Sequence, residues 1–430
     1  MKNHKNLCQL FVIIFLLLIL QPGTLAQSKE KSNMDSAKAL LIEGKYDESI
    51  NLLNNILIED STNINAYYYL SVCYQANSNY QKAADALAKA LKYKPDDIKI
   101  MVTLGNDLIL SGRLSEAKEI LSKAYASDST NTLILNPLGK VLMQKHNWLE
   151  ALEIFDKLVK IDTSNSYYYE QLGKCCSKLD DKDDAIVYYQ IAHKCNPLNE
   201  QTIMELSKLY FSKAHLISAL RIIDDGLSVY PSSSGMWTMK GKILLGMKEY
   251  DNAVKSYKSS IQFGDSSFTN FRDIGICNYY SGDYDSSIAY LNTAIKINKD
   301  DPTSHFYLGA SYKELKNYHA AIENLSTAAD LLKNDFTAEV YTQLGATYYA
   351  IKNYRDALDC YKDALREKPN KIELNFYLAV VYEHYYKDKS VAMKYYRKFL
   401  SDSAKTDRKL VSYAKERLIS LTEDDFMNNK

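Results

Sequence analysis

Apolar and small residues recur along this chain at helical spacing, and the spacing itself repeats. Over residues 64–97, Tyr67, Leu70, Ser71 and Tyr74 fall three and four apart and mark one face of a first helix. Ala83, Leu87, Ala90 and Leu91 mark the face of a second. The polar stretch from Gln75 to Tyr80 is just long enough to reverse the chain between them, which predicts two antiparallel helices joined by a turn. Pro95 ends the second helix, because proline has no amide hydrogen and clashes with the preceding turn. Pro197, Pro231 and Pro369 stand at the equivalent place in their own segments.

Sliding the chain against itself produces a match at 34 residues. One series of small residues runs Ala37, Ser71, Gly105, Gly139, Gly173, Ser207, Gly241, Gly275, Gly309, Gly345 and Ala379, broken only by a spacing of 36 before Gly345. Twelve residues further on, a second series runs Ser49, Ala83, Ala117, Ala151, Ala185, Ala219, Ala253, Ser287, Ala321, Ala357 and, after one inserted residue, Ala392. Small side chains at two facing positions let paired helix axes approach, and the large residues beside them fill the remaining volume.

These residues resemble the tetratricopeptide repeat. Residues 338–371 display its pattern well, through Tyr341, Leu344-Gly345, Tyr348, Tyr354, Ala357, Tyr361, Ala364 and Pro369. The resemblance extends over eleven units from residue 30 to 406 and weakens at both ends, where Ser36, Ile56 and Phe399 replace the usual residues. It implies an all-α, right-handed superhelical solenoid whose first helices line a concave inner face. Residues 407–430 carry Leu410, Val411, Ala414, Leu418 and Leu421 at helical spacing before turning polar, which predicts a capping helix over the last unit.

Residues 1–26 have a different character. Lys2, His4 and Lys5 precede an apolar run from Leu10 to Leu20, then Pro22-Gly23 and the small-residue site ending at Ala26. This is the layout of a secretory signal peptide, and it predicts an exported, periplasmic or secreted protein of bacterial type. The run is shorter than the ~20 apolar residues of a membrane span, and no second such run follows, so the cleaved chain has no integral membrane segment. An uncleaved tether stays open as an alternative.

Composition narrows the function. Lysine plus arginine number 53 and aspartate plus glutamate 53, so no net positive charge supports a general nucleic-acid binder. Only 15 glycines and 7 prolines argue against an all-β or loop-rich fold. The 36 tyrosines are the oddest count, and many fall where each unit needs a large ring, as Tyr341, Tyr348, Tyr354 and Tyr361 do. Cys73, Cys175, Cys176, Cys195, Cys277 and Cys360 fall at core positions of the repeat frame, where cysteine packs as a small hydrophobe; a disulfide or a metal site at Cys175, Cys176, His193 and Cys195 is the weaker reading. No nucleophile elbow, phosphate-binding glycine loop or zinc-ligand spacing occurs, and the repeats leave no segment for a catalytic domain. The sequence reads as a non-enzyme without cofactor or metal.

The resemblance directs unit positions 2, 5, 9, 12 and 13 into the groove. Position 9 is Lys140, Lys174, Lys208 and Lys242 in four consecutive units, with Lys38 alone in the first. Like charges along one wall reinforce one another and favour an acidic peptide or other anionic partner. The alternative is a solvated face balanced by neighbours such as Glu170 and Glu205. Towards the C-terminus, Tyr279, Tyr280, Phe306, Tyr349 and Phe376 fall at inward positions, with Tyr68 near the N-terminus. Exposed rings there suit peptide or sugar contacts, and packing between units is the competing reading. The family's chaperone-carboxylate clamp is not reproduced, since position 5 is Met34, Tyr68, Val102 and Asn136 in the first four units. A scaffold that binds a protein or peptide is the expected function, with a glycan or cell-wall binder and a membrane-tethered regulator as rivals.

Overall fold

The computed structural model describes residues 29–332, 336–401 and 406–428; the signal-peptide expectation for residues 1–26 lies outside them. Among the described residues there are 23 helices and no strand. Twenty-two form successive pairs in the 34-residue register, from Lys29–Ile42 with Tyr46–Glu59 to Glu373–Tyr385 with Ser390–Ser401, and a longer helix, Arg408–Asn428, follows. The chain divides into two compact units, with the boundary between Thr202 and Ile203. Within each unit a helix packs chiefly on its chain neighbours.

The two small-residue series meet inside each pair. Where the later residue is serine, its hydroxyl donates across the contact: Ser49 Oγ to the Ala37 carbonyl at 2.8 Å, and Ser287 Oγ to the Gly275 carbonyl at 2.9 Å. The glycines of the first series face a large residue sixteen positions on. A Cβ on Gly275 would lie 2.5 Å from Leu291 Cγ, and one on Gly345 would lie 2.9 Å from the Tyr361 ring. Glycine at these crossings is therefore a requirement of close approach, and the vacated space is filled by the facing ring or isobutyl group.

The turns are tighter than the sequence predicts. The helix Ile64–Ala76 runs past Gln75, and only three residues separate it from Tyr80–Tyr93. Ser78 takes the left-handed conformation at φ 58°, and the Asn79 amide donates to the Tyr74 carbonyl at 2.8 Å, closing the helix end in one step. Asn79 then caps the next helix by accepting from the Lys82 amide at 3.2 Å. The left-handed position recurs in ten turns, yet only Gly44, Gly112 and Gly282 supply glycine there; His146, Asp180, Ala214, Lys248, Lys316 and Lys352 adopt it with a side chain. The last pair departs from this pattern, because Tyr386 is extended where the inserted residues lengthen the connection.

The first compact unit has one large apolar core running from Ala37 to Cys175, with a small satellite around Met101. In the second unit the apolar clusters are separate. Buried polar groups lie among them: Asn270 donates to Ser260 Oγ at 3.1 Å and to the Asp265 carbonyl at 2.8 Å, and Tyr257 donates to Asp273 at 3.3 Å. Burial pushes the thiols of Cys175, Cys277 and Cys360 up to about 12, as expected of cysteines used for packing. Cys195 is the exception to the core reading: it ends the helix Lys182–Cys195 and is exposed.

The final helix is held by one buried carboxylate. Glu383 accepts from Tyr396 Oη at 2.8 Å and from Arg417 Nε at 3.0 Å, with a second Arg417 contact through Nη2. Ala414 and Leu421 of that helix join the same apolar cluster as Phe399.

Candidate partner-binding surface

All four position-9 lysines lie exposed on first helices. In the first compact unit, Lys140 stands on Thr132–Gln144 with its ammonium 5.6 Å from the Tyr167 ring centre. Lys174 and Lys178 project from Ser166–Lys178, and neither has a carboxylate partner among the described residues. Glu170 on the same helix accepts from Asn199 at 2.8 Å, and burial raises its pKa. In the second unit, Lys208 is engaged by Glu205 at 2.8 Å, whereas Lys242 has no such partner among the described residues. Lys38 is tied to Asp35 at 3.6 Å and lies 5.2 Å from the Tyr69 ring centre.

The inward aromatic residues separate into two kinds. Tyr280 is 51% exposed and Tyr279 is half-buried beside it. Tyr280 stacks on Tyr250 at 5.3 Å, and its hydroxyl shares a 3.0 Å hydrogen bond with that of Tyr307. Tyr279 packs edge-on against Tyr307 at 5.4 Å; burial, reinforced by the negative charge of Glu314, pushes its phenol up to about 12. Tyr349 is half-buried and meets Tyr354 and His384 at 5.8 and 5.7 Å. These rings form two phenolic clusters in the second unit, one around Tyr280 and one around Tyr349.

Phe306 and Phe376 are of the second kind. They are only 6% and 7% exposed, which corrects the expectation of open groove rings. Phe306 is covered by Phe336, 4.8 Å away edge-on, a residue carried in by the longer 36-residue spacing. Phe376 lies against Phe399 at 5.4 Å and Tyr413 of the final helix at 5.6 Å. Neither cover is visible from unit position alone.

Sequence reasoning missed Tyr250, Tyr307 and His384, which complete the ring clusters from positions not assigned to the groove or not marked as aromatic. The signal was present in the tyrosine-rich stretches around residues 279–284 and 382–386. Among the described residues no group of three or more His, Cys, Asp or Glu is placed to hold a metal ion, and no helix is long and apolar enough to cross a membrane.

Comparison with known proteins places this architecture. Family models described as tetratricopeptide or TPR repeat match residues 40–105, 108–175, 234–263, 278–316 and 302–366. The chain is 24% identical over 173 residues to Tetratricopeptide repeat protein 8 of Caenorhabditis elegans, covering 40% of this chain and 34% of that protein. It is 31% identical over 103 residues to Protein O-mannosyl-transferase TMTC1 of Homo sapiens, covering 23% of this chain and 12% of that one. The chain thus spans no more than about a third of either relative's length. Of solved structures, the APC/C hetero-tetramer Cut9-Hcn1 aligns over 91% of this chain and 97% of its own at 15% identity and TM-score 0.48, and yeast Tom70 over 91% and 96% at 13% identity and TM-score 0.40. The helix pairs, their register and the matched repeats make this chain a member of the tetratricopeptide-repeat proteins.

Proposed function

We propose that the protein is an exported, non-catalytic scaffold that holds a protein or peptide partner on its first-helix face. The fold itself suggests a protein-interaction scaffold, as repeat stacking creates extended surface without a catalytic pocket. The observation that carries the finer reading is the set of exposed, unpaired ammonium groups at Lys174, Lys178 and Lys242. An unpaired lysine on a packed helix face keeps its field available to an incoming carboxylate, and charge complementarity of this kind sets on-rate and partner choice. The tyrosines around Tyr280 add rigid contact area with hydroxyls for hydrogen bonding. Within the second unit, the carboxylates of a partner would meet Lys242 and its apolar or aromatic side chains the phenolic cluster around Tyr280.

The test is a pull-down from the native envelope with wild-type chain and with the Lys174→Glu/Lys178→Glu double variant and the Lys242→Glu variant. Protein partners enriched by the wild type and lost from the variants, at unchanged helicity, support the reading. Retention on cell-wall polysaccharide with no enriched protein would replace it with the glycan-binding alternative. N-terminal sequencing of the exported protein should begin at Gln27; an intact N-terminus would mean a tether instead.

A further inference from the structure

A second surface lies away from the first-helix face. In the first compact unit, a groove of about 490 Å³ runs between the helices Tyr46–Glu59 and Tyr80–Tyr93, with Tyr67, Leu70 and Tyr74 of the intervening helix also lining it. Its width has a sequence cause. Residue 86 is alanine, whereas the equivalent positions of the next four units are Ile120, Ile154, Tyr188 and Ile222. The missing side chain leaves open the volume that the larger ones occupy elsewhere. On the opposite wall Ile58 is 80% exposed, a large apolar side chain at the rim of an opening that polar and apolar side chains line together.

The rim is charged on one side. Lys82 and Lys89, seven residues apart and so on one face of their helix, both line the groove and are exposed. The carboxylate between them, Asp85, is held by Arg113 at 2.7 Å and is not free to neutralise them. Lys89 has no carboxylate partner among the described residues, and Lys82 rests only over the Tyr74 ring at 5.6 Å. The complement of this groove is a segment with a large apolar side chain flanked by carboxylates.

Such a combination occurs at residues 423–427, where Glu423, Asp424 and Asp425 run directly into Phe426 and Met427. We propose that the groove receives residues 423–427 of a second copy of this chain, with the apolar pair entering beside Ile58 and the carboxylates meeting Lys82 and Lys89. The inference is independent of the first-helix surface and does not use its residues.

Sedimentation velocity of the full chain over a concentration series tests it, because one charge reversal can be matched by another. Lys82→Glu/Lys89→Glu and Asp424→Lys/Asp425→Lys should each lower the association constant by about tenfold or more, since like charges then oppose. An equimolar mixture of the two variants should recover the wild-type constant, because every groove then finds a tail of opposite sign. Ile58→Ser, at a position too exposed to affect folding, should weaken association in the same direction. A wild-type chain that stays monomeric at all concentrations overturns the proposal. So does association that ignores either reversal, or a mixture that fails to recover.

Discussion

Asp107 offers the sharpest test of the packing described above. It sits on the first helix Ile98–Leu110, is 2% exposed, and its two carboxylate oxygens accept only from Gln75 Nε2, at 3.0 and 2.9 Å. Burial drives its pKa from 3.8 to about 7, against the smaller pull of Gln75. The sign is the reverse of that for a paired carboxylate. Below pH 3.8 the folded and unfolded forms are both protonated and the site costs nothing. As pH rises through 3.8 towards 7 the unfolded chain ionises first, so stability falls until the folded form also ionises. About three pKa units at 1.36 kcal/mol each give a full penalty of about 4 kcal/mol, of which about 2–3 kcal/mol accrues between pH 5 and pH 8. Asp107→Asn removes the ionisation and keeps an acceptor for Gln75, at the cost of a new amide donor worth about 1–2 kcal/mol if it finds no partner. The variant should therefore gain on the wild type by about 2–3 kcal/mol on going from pH 5 to pH 8, whatever its absolute stability. Because repeat arrays unfold locally, the readout is amide exchange in Ile64–Ala76 and Ile98–Leu110, measured at both pH values. Equal pH dependence in the two proteins would show that Asp107 is ionised in the fold and refute the argument.

Three further outcomes follow from single features. Ala214 holds the left-handed turn conformation at φ 58° with nothing but a methyl group, so Ala214→Gly should raise stability by about 0.5–1 kcal/mol in urea denaturation, and a loss would show that the turn is not strained. Arg417→Met should leave Glu383 buried with only Tyr396 as a side-chain partner and cost about 2–3 kcal/mol, seen first as faster amide exchange across 408–428; unchanged exchange would mean that apolar packing alone holds the final helix. Native alkylation followed by mass mapping should label Cys195 rapidly and spare Cys73, Cys175, Cys176, Cys277 and Cys360 until denaturant is added, with early labelling of any of these five contradicting their burial.

Much of this architecture could be read from the residues because its determinants are local and recurrent. The Gly275 and Ser287 pair, twelve apart, reports a helix crossing that the structure closes with a 2.9 Å hydrogen bond. The turns were legible in place but not in length, since Ser78 and His146 disguise a left-handed position that glycine would have announced. The candidate surface was legible in part. Lysine at a fixed unit position predicted exposed ammonium groups, and Lys174 and Lys242 are exposed and unpaired among the described residues. The same reasoning applied to Phe306 and Phe376 failed, because rings at exposed positions are covered whenever a neighbouring element reaches them.

The sequence by itself thus determined the helix pairs, their register and the small-residue crossings. These depend on the spacing of side chains along one helix and its immediate partner, and the 34-residue period repeats that information many times. Only the tertiary structure decided which inward residues remain open. It set Gln75 on Asp107 across 32 residues, laid Phe336 over Phe306, and left Ala86 facing an unfilled groove. Each of these is a contact between different units, where one insertion or one change of side-chain volume determines exposure, and no periodicity encodes it.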